Sequence, residues 1–181
     1  MSKILSEIDR DLELWIEQQK MFFVATAPLA AKGHINCSPK GADSFRIIEP
    51  HTVAYQDLTG SGIETIAHIQ ENSRIVVMFC AFEGAPQIVR LHGLGSPVFA
   101  NSYEYTKLSK HFLPHRGERA IIKIEVTRIA TSCGYSVPLY DYVDRRNVLD
   151  KWTEKKTSQE LNVYRAKKNQ YSIDGLPGIE F

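Results

Sequence analysis

Between Met21 and Ile129 turn-forming residues divide the sequence into short runs rich in β-branched and aromatic side chains. This punctuation constrains the fold more than any other feature. Residues 21–27 read as a strand that stops at Pro28, and 29–33 as a hairpin loop. Residues 34–38 read as a second strand ended by Pro39, Lys40 and Gly41. A short apolar piece at 45–48 is closed by Glu49 and Pro50, and 52–56 is a further strand. Residues 74–82 form a long apolar run, Gly84 to Pro86 a turn, and 87–99 another strand with Gly93 and Gly95 inside it. Glycines within a strand mark a bulge, a barrel corner or the close approach of another group. In 120–129 Ile122, Ile124 and Val126 alternate with Lys123, Glu125 and Thr127, the period of a strand with one buried face.

Helical spacing occurs between and around these runs. Leu5, Ile8, Leu12, Trp15 and Ile16 predict an amphipathic first helix with Ser2 or Ser6 as its cap. Further helices are expected near 63–70, 102–112 and 144–168, the last broken at Thr157 and Ser158. Strands and helices do not alternate strictly, so a doubly wound parallel sheet is excluded. The expected fold is mainly β with peripheral helices, an antiparallel barrel of about six strands. At 181 residues the chain suits one domain, 1–181. Its parts would be an N-terminal helix (1–20), a barrel core (21–131) and a C-terminal helical extension (132–181).

Net charge is +1, which argues against nucleic acid as the partner. No apolar run reaches the ~18 residues of a membrane span, and the N-terminus lacks the pattern of a signal peptide. A cytoplasmic location is therefore expected. Cys37 and Cys80 fall in strand-like runs and are expected in the core, whereas Cys133 falls in a loop. Their odd number and wide spacing exclude a disulfide framework. No histidine pair has metal-ligand spacing, because Pro114 interrupts the helix that would align His111 with His115; no metal is expected.

Three segments carry candidate chemistry. In Tyr55-Gln56-Asp57-Leu58-Thr59-Gly60-Ser61-Gly62-Ile63-Glu64-Thr65 a strand ends in a glycine-containing loop and a helix begins. Unpaired N–H groups at a helix start suit an anion, with Ser61 and Thr65 as added hydroxyl donors. A capped helix after a turn is the plainer reading of the same residues. In Asn36-Cys37-Ser38-Pro39-Lys40-Gly41 the proline would free backbone groups to meet the polar edge of a planar ligand, with Lys40 supplying positive charge. Arg90 is a lone cation in an apolar strand and needs a phosphate or a carboxylate such as Glu64 or Asp57.

Taken in order, these segments resemble the pyridoxamine 5′-phosphate oxidase-related family. The likeness runs through 22–26, 34–41, 53–62, 68–75 and 89–93. It extends to 132–138 and 172–178. The resemblance implies an FMN-binding split β-barrel, antiparallel and Greek-key-like, working as a homodimer with the cofactor at the interface. It implies a phosphate near Gly60 and Ser61, Ser38, Pro39 and Lys40 along the cofactor, and Tyr55 and Gln56 flanking it. Asp57, Thr59, Thr65 and Arg90 complete the expected set, and Trp152 is the candidate for the aromatic that closes the site from the partner chain. The oxidases carry an Arg-Lys pair where this chain has Gly62 and Ile63, so the positive charge would come from Lys40, Arg90 or Arg46. The implied function is a flavin-dependent oxidoreductase acting on a small molecule. A non-catalytic flavin binder or redox sensor, or a split barrel using deazaflavin or haem, stands as the alternative.

Overall fold

A computed structural model describes residues 3–180. It contains β1 (Lys3–Leu5), α1 (Arg10–Gln18), β2 (Phe22–Thr26), β3 (Asn36–Lys40), β4 (Phe45–Glu49) and β5 (Thr52–Leu58). These are followed by α2 (Glu64–Asn72), β6 (Arg74–Cys80), β7 (Ile88–Val98), α3 (Tyr103–Leu108) and β8 (Glu118–Ser132). The chain ends with α4 (Val148–Glu154) and α5 (Ser158–Lys168). The strands form one antiparallel sheet in the order β3-β2-β6-β7-β8-β5-β4, with β1 added alongside β8.

The two ends of that order are consecutive in sequence. β3 and β4 are opposite edges of the sheet, yet only Gly41 to Ser44 separates them. A connection this short requires the sheet to roll until its edges are neighbours. Side chains rather than a ladder bridge the gap: Phe22 of β2 lies 5.2 Å from Phe45 of β4 between ring centroids, and Phe45 lies 5.0 Å from Phe79 of β6. The result is the expected split barrel. Its interior holds Val24, Val53, Val77, Val89, Leu91, Ile122 and Ile124. A second apolar cluster, Ala54, Val98, Leu108, Phe112 and Ile121, fills the space between the opposite sheet face and α3.

The first helix starts later than its spacing suggested, because Lys3–Leu5 pairs with β8 as a strand. Asp9 caps α1 by accepting from the Leu12 N–H at 2.8 Å, in place of Ser6; Ser2 lies outside the described residues. Pro39 does not end its strand. It sits within β3 opposite Phe23, which an edge strand tolerates because one side of its backbone has no ladder to donate to. Cys37 shares the exposed side of that edge, so it is not a core residue, whereas Cys80 is buried. Gly93 marks a bulge: the register shifts between His92 and Gly93, and a Cβ there would collide with the Glu125 backbone oxygen. Among the described residues no helix is long and apolar enough to cross a membrane.

Candidate functional site

Alternation on the edge strand places Asn36, Ser38 and Lys40 on one face. This row turns inward over the start of α2 and the end of β5. The Asn36 amide donates to the Thr65 hydroxyl at 3.0 Å and the Thr26 hydroxyl at 3.3 Å, and the Ser38 hydroxyl donates to Asn36 Oδ1 at 2.9 Å. Thr26 is joined in turn to His68 Nδ1 at 2.9 Å. His68 is fully buried, its Nε2 has no partner among the described residues, and burial presses its pKa below the ordinary value.

Beneath the row, Tyr55 and Asp57 share the inward face of β5. Both are wholly buried. The Tyr55 hydroxyl faces Thr65 but has no partner in hydrogen-bond geometry among the described residues. Burial first, and the charge of Asp57 second, push its pKa well up, so it stays a phenol. Asp57 is gripped from two sides, by Lys40 Nζ at 3.1 Å and Arg119 Nε at 2.6 Å. Burial alone would raise the Asp57 pKa; the two cations outweigh it and hold the carboxyl below its usual range.

Arg119 escaped the sequence reading, which began its strand at Ala120. A bulge puts it here. Asp57 pairs with Ala120 and Leu58 with Glu118, leaving Arg119 as the extra residue. The bulge reverses the alternation, so Arg119 turns toward Asp57 while Glu118 turns to the other face. There the Glu118 carboxylate accepts from Tyr105 Oη at 2.5 Å and Gln56 Nε2 at 2.6 Å. Burial, then the bond to Glu118, raise the Tyr105 pKa to about 12.

The expected residues therefore divide. Ser38, Lys40, Tyr55, Asp57 and Thr65 come together. Gln56 does not flank them: it points into the second cluster, its amide donating to the Leu113 carbonyl at 2.9 Å. Pro39 faces outward. Arg90 sits opposite Met78 and Ala130 on the outer row of the sheet and donates to the Ser132 hydroxyl at 3.1 Å rather than to Glu64 or Asp57. Arg46 is tied to Asp43 and to the His111 carbonyl. Trp152 packs edge-on against Tyr164 of its own chain, with Lys156 over its ring.

The loop after β5 is committed to the chain itself. The Thr59 hydroxyl donates to the Gly117 carbonyl at 2.7 Å and accepts from Arg165 Nε at 3.0 Å. The Gly60 carbonyl accepts from the buried Asn169 amide at 3.0 Å, and the Gly62 carbonyl from Arg119 at 2.8 Å. Only Ser61 is exposed. Glu64 stands in the first turn of α2, where a Cβ on Gly62 would collide with its carboxylate. Arg165 is the second cation the sequence reading missed. It reaches this loop from α5, where burial and then the neighbouring Arg119 lower its pKa.

A flavin is the ligand the expected fold implies, and the site fits half of it. The row of amide, hydroxyl and ammonium groups suits the polar edge of a flat ring. The Gly60–Ser61 loop does not suit the phosphate, because the Gly60 and Gly62 carbonyls turn to Asn169 and Arg119 and the Glu64 carboxylate stands at the helix start. Lys40 also borders a cleft of about 900 Å³ floored by Phe22, Phe45 and Phe79 and walled by Tyr142 and Arg146. A cleft of that size matches a small-molecule site.

The family model described as pyridoxamine 5′-phosphate oxidase matches residues 8–133. The pyridoxamine 5′-phosphate oxidase family protein ustO of Aspergillus flavus is 40% identical over 186 residues, covering 93% of this chain and 74% of its own length. Among solved structures, a HupZ protein of Group A Streptococcus superposes with a TM-score of 0.55 at 26% identity, over 69% of this chain and 99% of that one. The FAD binding protein of Mycobacterium smegmatis superposes with a TM-score of 0.50 at 14% identity, over 72% and 96%, a likeness of fold alone.

Proposed function

The chain belongs to the pyridoxamine 5′-phosphate oxidase family, and on that premise we propose that it is an FMN-binding flavoprotein. On this reading it is an oxidoreductase that works on a small molecule, as a cytoplasmic homodimer with the cofactor at the subunit interface. The single observation that carries the reading is the polar row Asn36, Ser38 and Lys40 above the unpartnered Tyr55 hydroxyl, in a chain of this family. A bound flavin would supply the electron chemistry, and the chain its orientation and surroundings. Asn36 and Ser38 would meet the ring's polar edge, and Lys40 would place a positive charge beside it. The aromatic-floored cleft next to Lys40 would receive the substrate. The same reading takes the chain as one split-barrel domain with a C-terminal helical extension. That an FAD binding protein has the same fold also supports a flavin.

The test is the visible spectrum of the purified protein, followed by release of any chromophore by heat and its identification. Flavin bands and released FMN are expected. A colourless protein that gains no spectrum with added FMN overturns the reading. A second reading, a flavin carrier or sensor without turnover, is favoured by the way Lys40, Asp57 and Arg119 are spent on one another. Steady-state assays with NAD(P)H and common electron acceptors separate the two, since only the enzyme turns over.

A further inference from the structure

We propose that Asp57 is a built-in substitute for a ligand's phosphate, so that this chain selects its flavin by the ring and is indifferent to the phosphate. The choice of ligand rests on the flavin reading above; the role of Asp57 rests on the ion cluster alone.

The cluster is complete before any ligand arrives. Its cations are Lys40 and Arg119, with Arg165 beside Arg119; its acid is Asp57, and Glu64 stands next to Gly62. Asp57 has no exposed side-chain surface, and the side chain of Arg119 is 6% exposed. Two cations converging on one buried point would be costly without an anion between them. Asp57 Oδ1 and Oδ2 take one cation each, the fork that two oxygens of a phosphate would otherwise offer. The carboxylate stays charged because those cations offset its burial.

The surroundings repel a second anion. Arg119 is fixed by its further bond to the Gly62 carbonyl, so it cannot swing away without breaking two contacts. The carbonyl oxygens of Gly60 and Gly62 are turned toward Asn169 and Arg119. Glu64 already holds the negative position favoured by the dipole of α2. A phosphate entering here would meet two carboxylates and two carbonyl oxygens around cations that already have partners. The binding energy for a flavin then comes from the ring, through Asn36 and Ser38.

The first test titrates the purified protein with riboflavin and with FMN and follows the quenching of flavin fluorescence. The two dissociation constants should agree within about tenfold; a larger advantage for FMN overturns the proposal. The second needs no flavin and compares thermal unfolding in inorganic phosphate and in chloride at equal ionic strength. Wild type should melt at the same temperature in both. Asp57→Asn keeps the shape of the side chain but strands Lys40 and Arg119, and it should gain a phosphate-specific rise of several degrees. A phosphate-specific rise already present in wild type, or none in Asp57→Asn, overturns the proposal. If the variant folds only in phosphate, that supports it; if it folds in neither buffer, the wild-type arms decide. Failure of both flavins to bind would remove the flavin reading, while the phosphate arm would still decide the role of Asp57.

Discussion

Tyr55 and Asp57 lie two residues apart on one strand face and solve burial in opposite ways. The phenol is neutral and keeps an unused donor; the carboxylate is charged and is held by two cations. An unsatisfied buried hydroxyl costs about 1–3 kcal/mol. Tyr55→Phe should therefore stabilise the cofactor-free protein by about 1 kcal/mol in urea denaturation. Asp57 has the reverse character. Its folded pKa is depressed, so its contribution to stability is fully present above the unfolded carboxylate value of about 3.9 and is lost as pH falls through the lower folded value. Acid titration of cofactor-free wild type should show this loss below about pH 4. In Asp57→Asn that segment should flatten, and stability at neutral pH should fall by about 3–5 kcal/mol, the usual consequence of stranding buried charge. Lys40 and Tyr55 are candidates through the family resemblance, Lys40 also for its charge after Pro39, and Asp57 through the strand-to-helix segment 55–65. The sequence did not reveal Arg119 and Arg165. Arg119 reaches the site only because a bulge reverses the strand's parity, and a bulge is a property of two paired strands rather than of one. Arg165 comes from a helix far along the chain, and local spacing carries no signal for that docking.

The elements that fix these residues are themselves held by a few local devices. α5 brings Arg165 and Asn169 to the loop after β5, and it starts at a capping box in which Thr157 and Glu160 satisfy each other's backbone N–H groups. Thr157→Ala should cost about 1 kcal/mol. Because α5 holds Thr59 and Gly60, amide exchange in residues 59–63 should also quicken; unchanged exchange there would mean that the loop does not depend on α5. Gly93 has a different constraint. Its backbone approaches Glu125 too closely for any Cβ, so Gly93→Ala must push apart the two longest strands of the sheet. A loss of about 2–3 kcal/mol, read as a lowered urea midpoint with an unchanged slope, is expected. Such elements were legible where composition alone decides them: strands rich in Val, Ile and Phe, the break before Ser158, and the glycine-marked bulge. They were misplaced where pairing overrode local preference. Lys3–Leu5 joined β8 instead of starting a helix, and Pro39 stayed in a strand because that strand is an edge. The resemblance places Gln56 with Tyr55 beside the cofactor; neighbours in a strand face opposite ways, and the Gln56 amide points into the second cluster.

At the scale of the whole molecule the rolled sheet leaves two features that a second copy would resolve. β3 is an open edge, and such an edge invites pairing or cover. After β8 the chain runs through an arm, residues 135–147, that is not packed as a core. Tyr135, Leu139 and Tyr140 are largely exposed there, and Val143 is 93% exposed. The arm is tied back at Tyr140, whose ring stacks on Phe82 at 5.6 Å and whose N–H donates to the Phe82 carbonyl at 2.8 Å, and at Tyr142, whose N–H donates to the Glu83 carboxylate at 2.9 Å. It forms one wall of the cleft beside Lys40 through Tyr142, Asp144, Arg145 and Arg146. An apolar arm bordering the candidate site is the arrangement expected if dimerisation and ligand binding share one surface. Light scattering at micromolar concentration should therefore give the mass of two chains. Leu139→Asp combined with Val143→Asp should shift it to one. Both side chains are exposed in the single chain, so the far-ultraviolet circular dichroism should not change. Flavin affinity should fall with the dimer in that variant. A monomeric double mutant that binds flavin as tightly as wild type would place the whole site within one chain, and a double mutant that stays dimeric would move the interface from the arm to the β3 edge.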